Sequence, residues 1–139
     1  MHVHLTHESG LSFKAVSRDH EMVSDQPRTN GGEDKGMTPP EWFLASLGSC
    51  VGFYAVKYCE ARDLDSRDLR IEVEGSKSTE KPIRIASIEI RVCLPFELSE
   101  RHRAGLKRAV DSCIIHNTLT HAPNLTTLVR DGCDCLGPV

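Results

Sequence analysis

Two stretches of the chain alternate apolar and polar residues with a period of two. Leu69-Arg70-Ile71-Glu72-Val73-Glu74 does so cleanly, and Ile83, Ile85, Ile88, Ile90, Val92 and Leu94 extend the pattern over a longer run. Such alternation predicts half-buried strands over 69–75 and 83–94. The phase changes between Ile85 and Ile88, which predicts a bulge near Ala86-Ser87. Val3 to Ser17 alternates more weakly through Leu5, Leu11, Phe13 and Ala15, and predicts strands turning near Glu8-Ser9-Gly10. Short strands are also expected over 21–24 and 125–129.

Elsewhere the period becomes helical. Thr38-Pro39-Pro40-Glu41 reads as a helix start, because Thr38 can cap, proline suits the first turn and Glu41 sits near the positive end of the dipole. Phe43, Leu47, Cys50 and Tyr54 then recur at helical spacing, with Leu44, Val51 and Ala55 beside them, so a helix is predicted from there to about Asp63. It carries few charges before Lys57 and should be deeply buried. A second helix begins at Ser99, has Leu106, Ala109, Val110, Cys113 and Ile114 on one side, and fades near Asn117-Thr118. The stretch 26–39, rich in Gly, Pro, Asn and Asp, is a long loop of the kind that is usually functional or mobile. Strands, long helix, strands, helix and strand make an α+β domain with mainly antiparallel strands.

Length and composition narrow the class. A chain of 139 residues is expected to be one domain over 1–139, with a flexible tail at 131–139. Its 39% hydrophobic and 27% charged residues are ordinary for a globular protein. The formal net charge is -3, and Arg101-His102-Arg103 with Lys107 and Arg108 reads as a solvated helix face. Nucleic acid is therefore not an expected partner. Met1-His2-Val3-His4-Leu5-Thr6-His7 has no apolar signal region, and no apolar run approaches the ~20 residues of a membrane span. The protein is expected to be soluble and cytoplasmic, with no membrane partner. Thiols stay reduced there, so the six cysteines point to catalysis, metal binding or burial rather than a disulfide framework.

Cys59 follows Cys50 by nine residues, half a turn out of phase at about 100° per residue, so the two face opposite sides of one helix. Cys93 is out of phase with Ile88, Ile90 and Val92 and faces the less buried side. Cys133-Asp134-Cys135 lacks the second pair that a zinc site needs. Cys50 and Cys113 each sit on the apolar stripe of a predicted helix, far from its N-terminus, so a reactive thiolate there needs a nearby cation. Spacing alone leaves open whether they meet. His116, three residues after Cys113, leaves a cysteine–histidine hydrolase open as well. His2, His4 and His7 read as a polar edge strand or a weak surface metal site.

The run from Gly31-Gly32-Glu33-Asp34-Lys35-Gly36 through Thr38-Pro39-Pro40-Glu41 to Gly48-Ser49-Cys50 resembles the first cysteine motif of the OsmC/Ohr superfamily. That superfamily comprises osmotically induced protein C and the organic hydroperoxide resistance proteins. Cys113-Ile114-Ile115-His116-Asn117-Thr118-Leu119 resembles its second cysteine region. The resemblance runs from about Leu11 to Val129. It implies an intertwined homodimer, with curved, mainly antiparallel sheets around two long central helices. It also implies a thiol peroxidase for organic hydroperoxides that needs no metal or organic cofactor. Cys50 would be the peroxidatic thiolate, Cys113 would close a disulfide on the resulting sulfenic acid, and a lipoyl-type dithiol would reduce it. Arg18, in Ser17-Arg18-Asp19-His20, matches the arginine that stabilises the thiolate, with Arg28 as the alternative and Glu41 as its carboxylate partner. In the hydroperoxide branch that carboxylate stands where this chain has Pro40, whereas the osmotically induced branch has an acid at the Glu41 position. The second cysteine is commonly followed by proline, but here by Ile114. The glycine-rich loop resembles a third, less characterised branch. A non-catalytic binding or redox-sensing protein on the same scaffold is the alternative function.

Overall fold

The structure is a computed structural model in which residues 1–132 are described. They form two compact units, 1–39 with the segment from 123 onward, and 40–122.

The first unit is built on a three-stranded antiparallel meander of β1 (His4–Ser9), β2 (Ser12–Ser17) and β3 (His20–Ser24). The first turn lies at Gly10-Leu11, and Glu8 is left over between the pairs His7↔Phe13 and Ser9↔Ser12. Ser17 pairs with His20, so Arg18 and Asp19 make a two-residue turn, and Arg18 adopts φ 56°. The loop after β3 has an internal frame. Buried Asp25 accepts hydrogen bonds from the backbone N–H groups of Gln26 (2.7 Å), Glu33 (2.9 Å) and Lys35 (3.2 Å). Side chains at Gly32 or Gly36 would collide with the carbonyls of Gln26 and Val23, which explains two glycines of the Gly-Gly-Glu-Asp-Lys-Gly run. A short 3-10 turn covers Arg28–Asn30.

The expected strand over 125–129 is absent: 122–131 has no regular structure. Leu125 and Val129 stay 92% and 95% exposed. The segment's threonines and apolar residues have β propensity, but an extended segment without a ladder partner does not become a strand.

The second unit carries α1 (Pro39–Glu60), β4 (Arg70–Lys77), β5 (Ile85–Cys93), α2 (Glu100–Asp111) and α3 (Ile114–Thr120). The strands pair antiparallel, with Ile71↔Val92 and Val73↔Ile90 on the inner face. Ser76 opposes Ser87 and Lys77 opposes Ile85, so Ala86 is the extra residue and the expected bulge is present. On the outer face Arg91 bridges Glu72, Glu74 and Glu89. The buried stripe of α1 is Leu47, Gly48, Val51, Ala55, Tyr58 and Cys59, which includes Leu47, Val51 and Ala55 of the expected apolar side but leaves Phe43 exposed. Phe53 is 58% exposed, so α1 is buried on one face rather than all round.

The second predicted helix is two helices. Ser99, where the helix was expected to begin, caps α2 by accepting from the His102 N–H. At the other end Ser112 and Cys113 donate to the carbonyls of Ala109 and Val110, the Ser112 hydroxyl takes the Arg108 carbonyl, and Cys113 turns extended at ψ 135°. These tightened bonds use up the carbonyls that a continuous helix would need, so the chain restarts at Ile114.

Candidate functional site

Cys113 is fully buried, in one apolar cluster with Leu47 and Val51 of α1. Half-buried Cys50 packs against that cluster, beside Tyr54, Ile71, Val73, Ile90 and Val92. The structure thus brings together two cysteines that spacing could not join. The Cys50 side chain lies close enough to the Cys113 thiol to influence its proton affinity. Burial, then the hydrogen bond to Cys50 and its charge, push the Cys113 pKa above the ordinary thiol value. Backbone N–H groups of His116 and Ile115 face the sulfur and pull the other way, without forming a full capping bond. Cys113 is therefore the N-cap of α3 rather than a residue deep in a helix, as had been expected, and its local field favours the thiolate while its burial opposes it. It is the His116 backbone, rather than its imidazole, that addresses the sulfur.

Cys59 lies on the other side of α1, fully buried, its pKa raised by desolvation. Cys93 is exposed on β5. Cys133 and Cys135, and most of the expected tail, lie outside the described residues. Glu41 lines a cleft of about 470 Å³ between α1 and β4, with Leu44, Gly48, Ser49 and Ile71. It precedes Cys50 by nine residues on the same helix, so it lies half a turn away in phase and about 13 Å along the axis. Within one chain the structure does not bring Glu41 to Cys50. Arg18 occupies its strained turn and Arg28 the 3-10 turn, both exposed in the first unit.

A second cavity, of about 320 Å³, opens beside the cysteine cluster. Its floor is apolar, from Val51, Ile90, Leu106 and Val110, and Arg103 and His116 stand among its lining. Among the described residues, no group of three His, Cys, Asp or Glu is placed to hold a metal ion. No helix of the described residues is long and apolar enough to cross a membrane.

Fold and site together define a small α+β protein with two apposed, unequally buried thiols. A family model described as OsmC-like protein matches residues 32–128, and the chain belongs to that family. Among solved structures it is similar to a candidate osmotic stress induced and detoxification response protein from Psychrobacter arcticus (19% identity, TM-score 0.76, 84% of this chain and 85% of that one). It is also similar to an OsmC like protein from Mycoplasma pneumoniae (22%, 0.72, 87% of each chain). A third, more distant likeness is to a Legionella pneumophila organic hydroperoxide resistance protein OsmC (13%, 0.57, 86% and 89%). These likenesses establish the fold. Among curated proteins, no sequence matches significantly.

Proposed function

We propose that the protein is a cytoplasmic, homodimeric thiol peroxidase that reduces organic hydroperoxides. The observation that carries this reading is the packing of half-buried Cys50 against the cluster that holds buried Cys113, whose pKa burial raises. The Cys50 thiolate attacks the outer peroxide oxygen, the O–O bond breaks, and the alkoxide leaves and takes up a proton as an alcohol. Cys50 becomes a neutral sulfenic acid. Its negative charge has then gone, and with it one of the causes that kept Cys113 protonated. Cys113 gives up its proton, its sulfur displaces the sulfenic hydroxyl as water, and a Cys50–Cys113 disulfide forms. A lipoyl-type dithiol restores both thiols by exchange and is itself oxidised to its cyclic disulfide. The apolar cavity beside the cluster suits the hydrocarbon part of the peroxide.

Arg18 supplies the guanidinium that steadies the Cys50 thiolate, with Arg28 the alternative and Glu41 its carboxylate partner. Since Glu41 lies out of phase with Cys50 in its own chain, that pairing draws on the homodimer. Phe53 and Ile114 support the dimer, being 58% and 59% exposed in a single chain. The names of two structural relatives, the Legionella protein and an organic hydroperoxide resistance protein from Vibrio cholerae, favour the same substrate class. A lipoamide-coupled assay with cumene hydroperoxide tests the reading. Turnover is expected in the wild type and none in Cys50→Ser; equal turnover in both would overturn it. Mass spectrometry after mild peroxide treatment should find two protons lost in a Cys50–Cys113 disulfide. No selective oxidation of this pair would favour a binding or sensing role instead.

A further inference from the structure

Away from the thiols, the second unit carries a cavity of about 390 Å³ whose lining is cationic. Arg101, Gly105 and Arg108 recur at helical spacing along one face of α2. Tyr58 of α1 and Arg62, just past its end, form the facing wall. No carboxylate lines the cavity, and none of the three arginines makes an ion pair among the described residues. Clustered guanidinium groups without an acid repel one another and cost stability unless an anion joins them.

The cavity is also built rather than incidental. The Arg62 guanidinium carbon stacks 3.9 Å from the centre of the Tyr58 ring, and one of its terminal nitrogens donates to the Tyr58 carbonyl at 3.4 Å, which fixes the guanidinium in the cavity wall. The Tyr58 hydroxyl is 3.2 Å from His102 Nδ1, which ties α1 to α2 at this point. Gly105 is a glycine in a helix interior, a place that costs up to about 1 kcal/mol against alanine. A Cβ there would strike the Tyr58 hydroxyl and lie 2.9 Å from the ring carbons Cε2 and Cζ. The glycine therefore lets α2 settle onto Tyr58, bringing Arg101 and Arg108 to the cavity from one turn on either side.

We propose that this cavity binds the phosphate group of a small soluble phosphorylated molecule. Guanidinium forks match the paired oxygens of phosphate, and three of them outweigh the single charge of a carboxylate. One compact cavity on a chain of net charge -3 suits a small ligand and not a nucleic acid.

The test is isothermal titration of the full chain at fixed ionic strength with pyrophosphate, glycerol phosphate and, as a singly charged control, acetate. Saturable binding of both phosphate compounds is expected, with none for acetate. Arg101→Gln with Arg108→Gln should weaken binding roughly tenfold or more for each arginine, since charge-assisted bonds of this kind each account for about one decade. Circular dichroism and peroxidase turnover should be unchanged. Gly105→Ala should also weaken binding, although both arginines remain. The absence of saturable binding, equal binding by the double variant, or acetate binding as well as phosphate would overturn the proposal.

Discussion

Burial and the Cys50 sulfur both hold the Cys113 proton in place, and they can be separated by mutation. In Cys50→Ala the hydrogen bond and the charge go, but burial stays. The Cys113 pKa should therefore fall relative to wild type, as read by ultraviolet thiolate absorbance. Cys59 is raised by burial too, so two thiols bind their protons more tightly in the folded chain than in the unfolded one. Stability from this source is complete below the unfolded value of 9.0 and is lost as pH rises through the raised values. Urea midpoints should thus decline above pH 9.0, and less steeply in Cys59→Ala. Arg18 offers a different separation. At φ 56° it occupies a conformation that costs an L-residue roughly 1–2 kcal/mol and a glycine almost nothing. Arg18→Gly should raise stability by about 1 kcal/mol and, if its guanidinium steadies Cys50, lower peroxidase turnover. A stabilised variant with full turnover would move that role to Arg28.

Among the elements, local rules made some features legible and tertiary contacts hid others. Thr38-Pro39-Pro40 marked the start of α1, and the slip of phase before Ile88 marked the bulge at Ala86, because each is a property of a few neighbouring residues. The break before α3 was hidden, since Leu106, Val110 and Cys113 keep helical spacing straight through it while hydrogen bonds at Ser112 stop the helix. That one backbone event changed the setting of Cys113 from mid-helix to helix cap. The approach of Cys50 to Cys113 was equally invisible, being made across α1 and the strands. The Asp25 frame was missed because an aspartate before a loop has no periodicity to betray it. Burial raises the Asp25 pKa but three N–H donors outweigh it, so the value is lowered from 3.8. The loop's support is then present above pH 3.8 and lost as pH falls through the depressed value. Asp25→Asn, which turns an amide group toward N–H donors, should speed amide exchange at Glu33 and Lys35 while leaving α1 protected. The close packing of α1 on β4 separates two glycines. A Cβ at Gly52 would sit 3.5 Å from Ile71, an ordinary contact, whereas one at Gly48 would sit 2.9 Å from Val73. In urea titrations Gly52→Ala should gain up to about 1 kcal/mol from helix propensity, and Gly48→Ala should lose that gain to the clash.

At the level of the whole molecule, the proposed dimer can be tested at the apolar side chains that one chain leaves uncovered. Phe53 lies on α1, Ile114 directly follows Cys113, and Leu125 and Val129 belong to an extended segment that has no strand partner among the described residues. A second copy would cover the first two and could offer the third a ladder partner, which turns a missing strand into an intermolecular one. The same contact would let a carboxylate or guanidinium of one chain serve the thiols of the other. Light scattering should then give twice the 15.4 kDa chain mass. If a second copy covers Phe53, Phe53→Glu should shift the protein toward the single-chain mass, because an unpaired charge buried at an interface costs several kcal/mol. If the site is completed across the dimer, peroxidase turnover should fall with the fraction of dimer and recover as protein concentration rises. A monomeric Phe53→Glu with full turnover at every concentration would place the whole peroxidase within one chain.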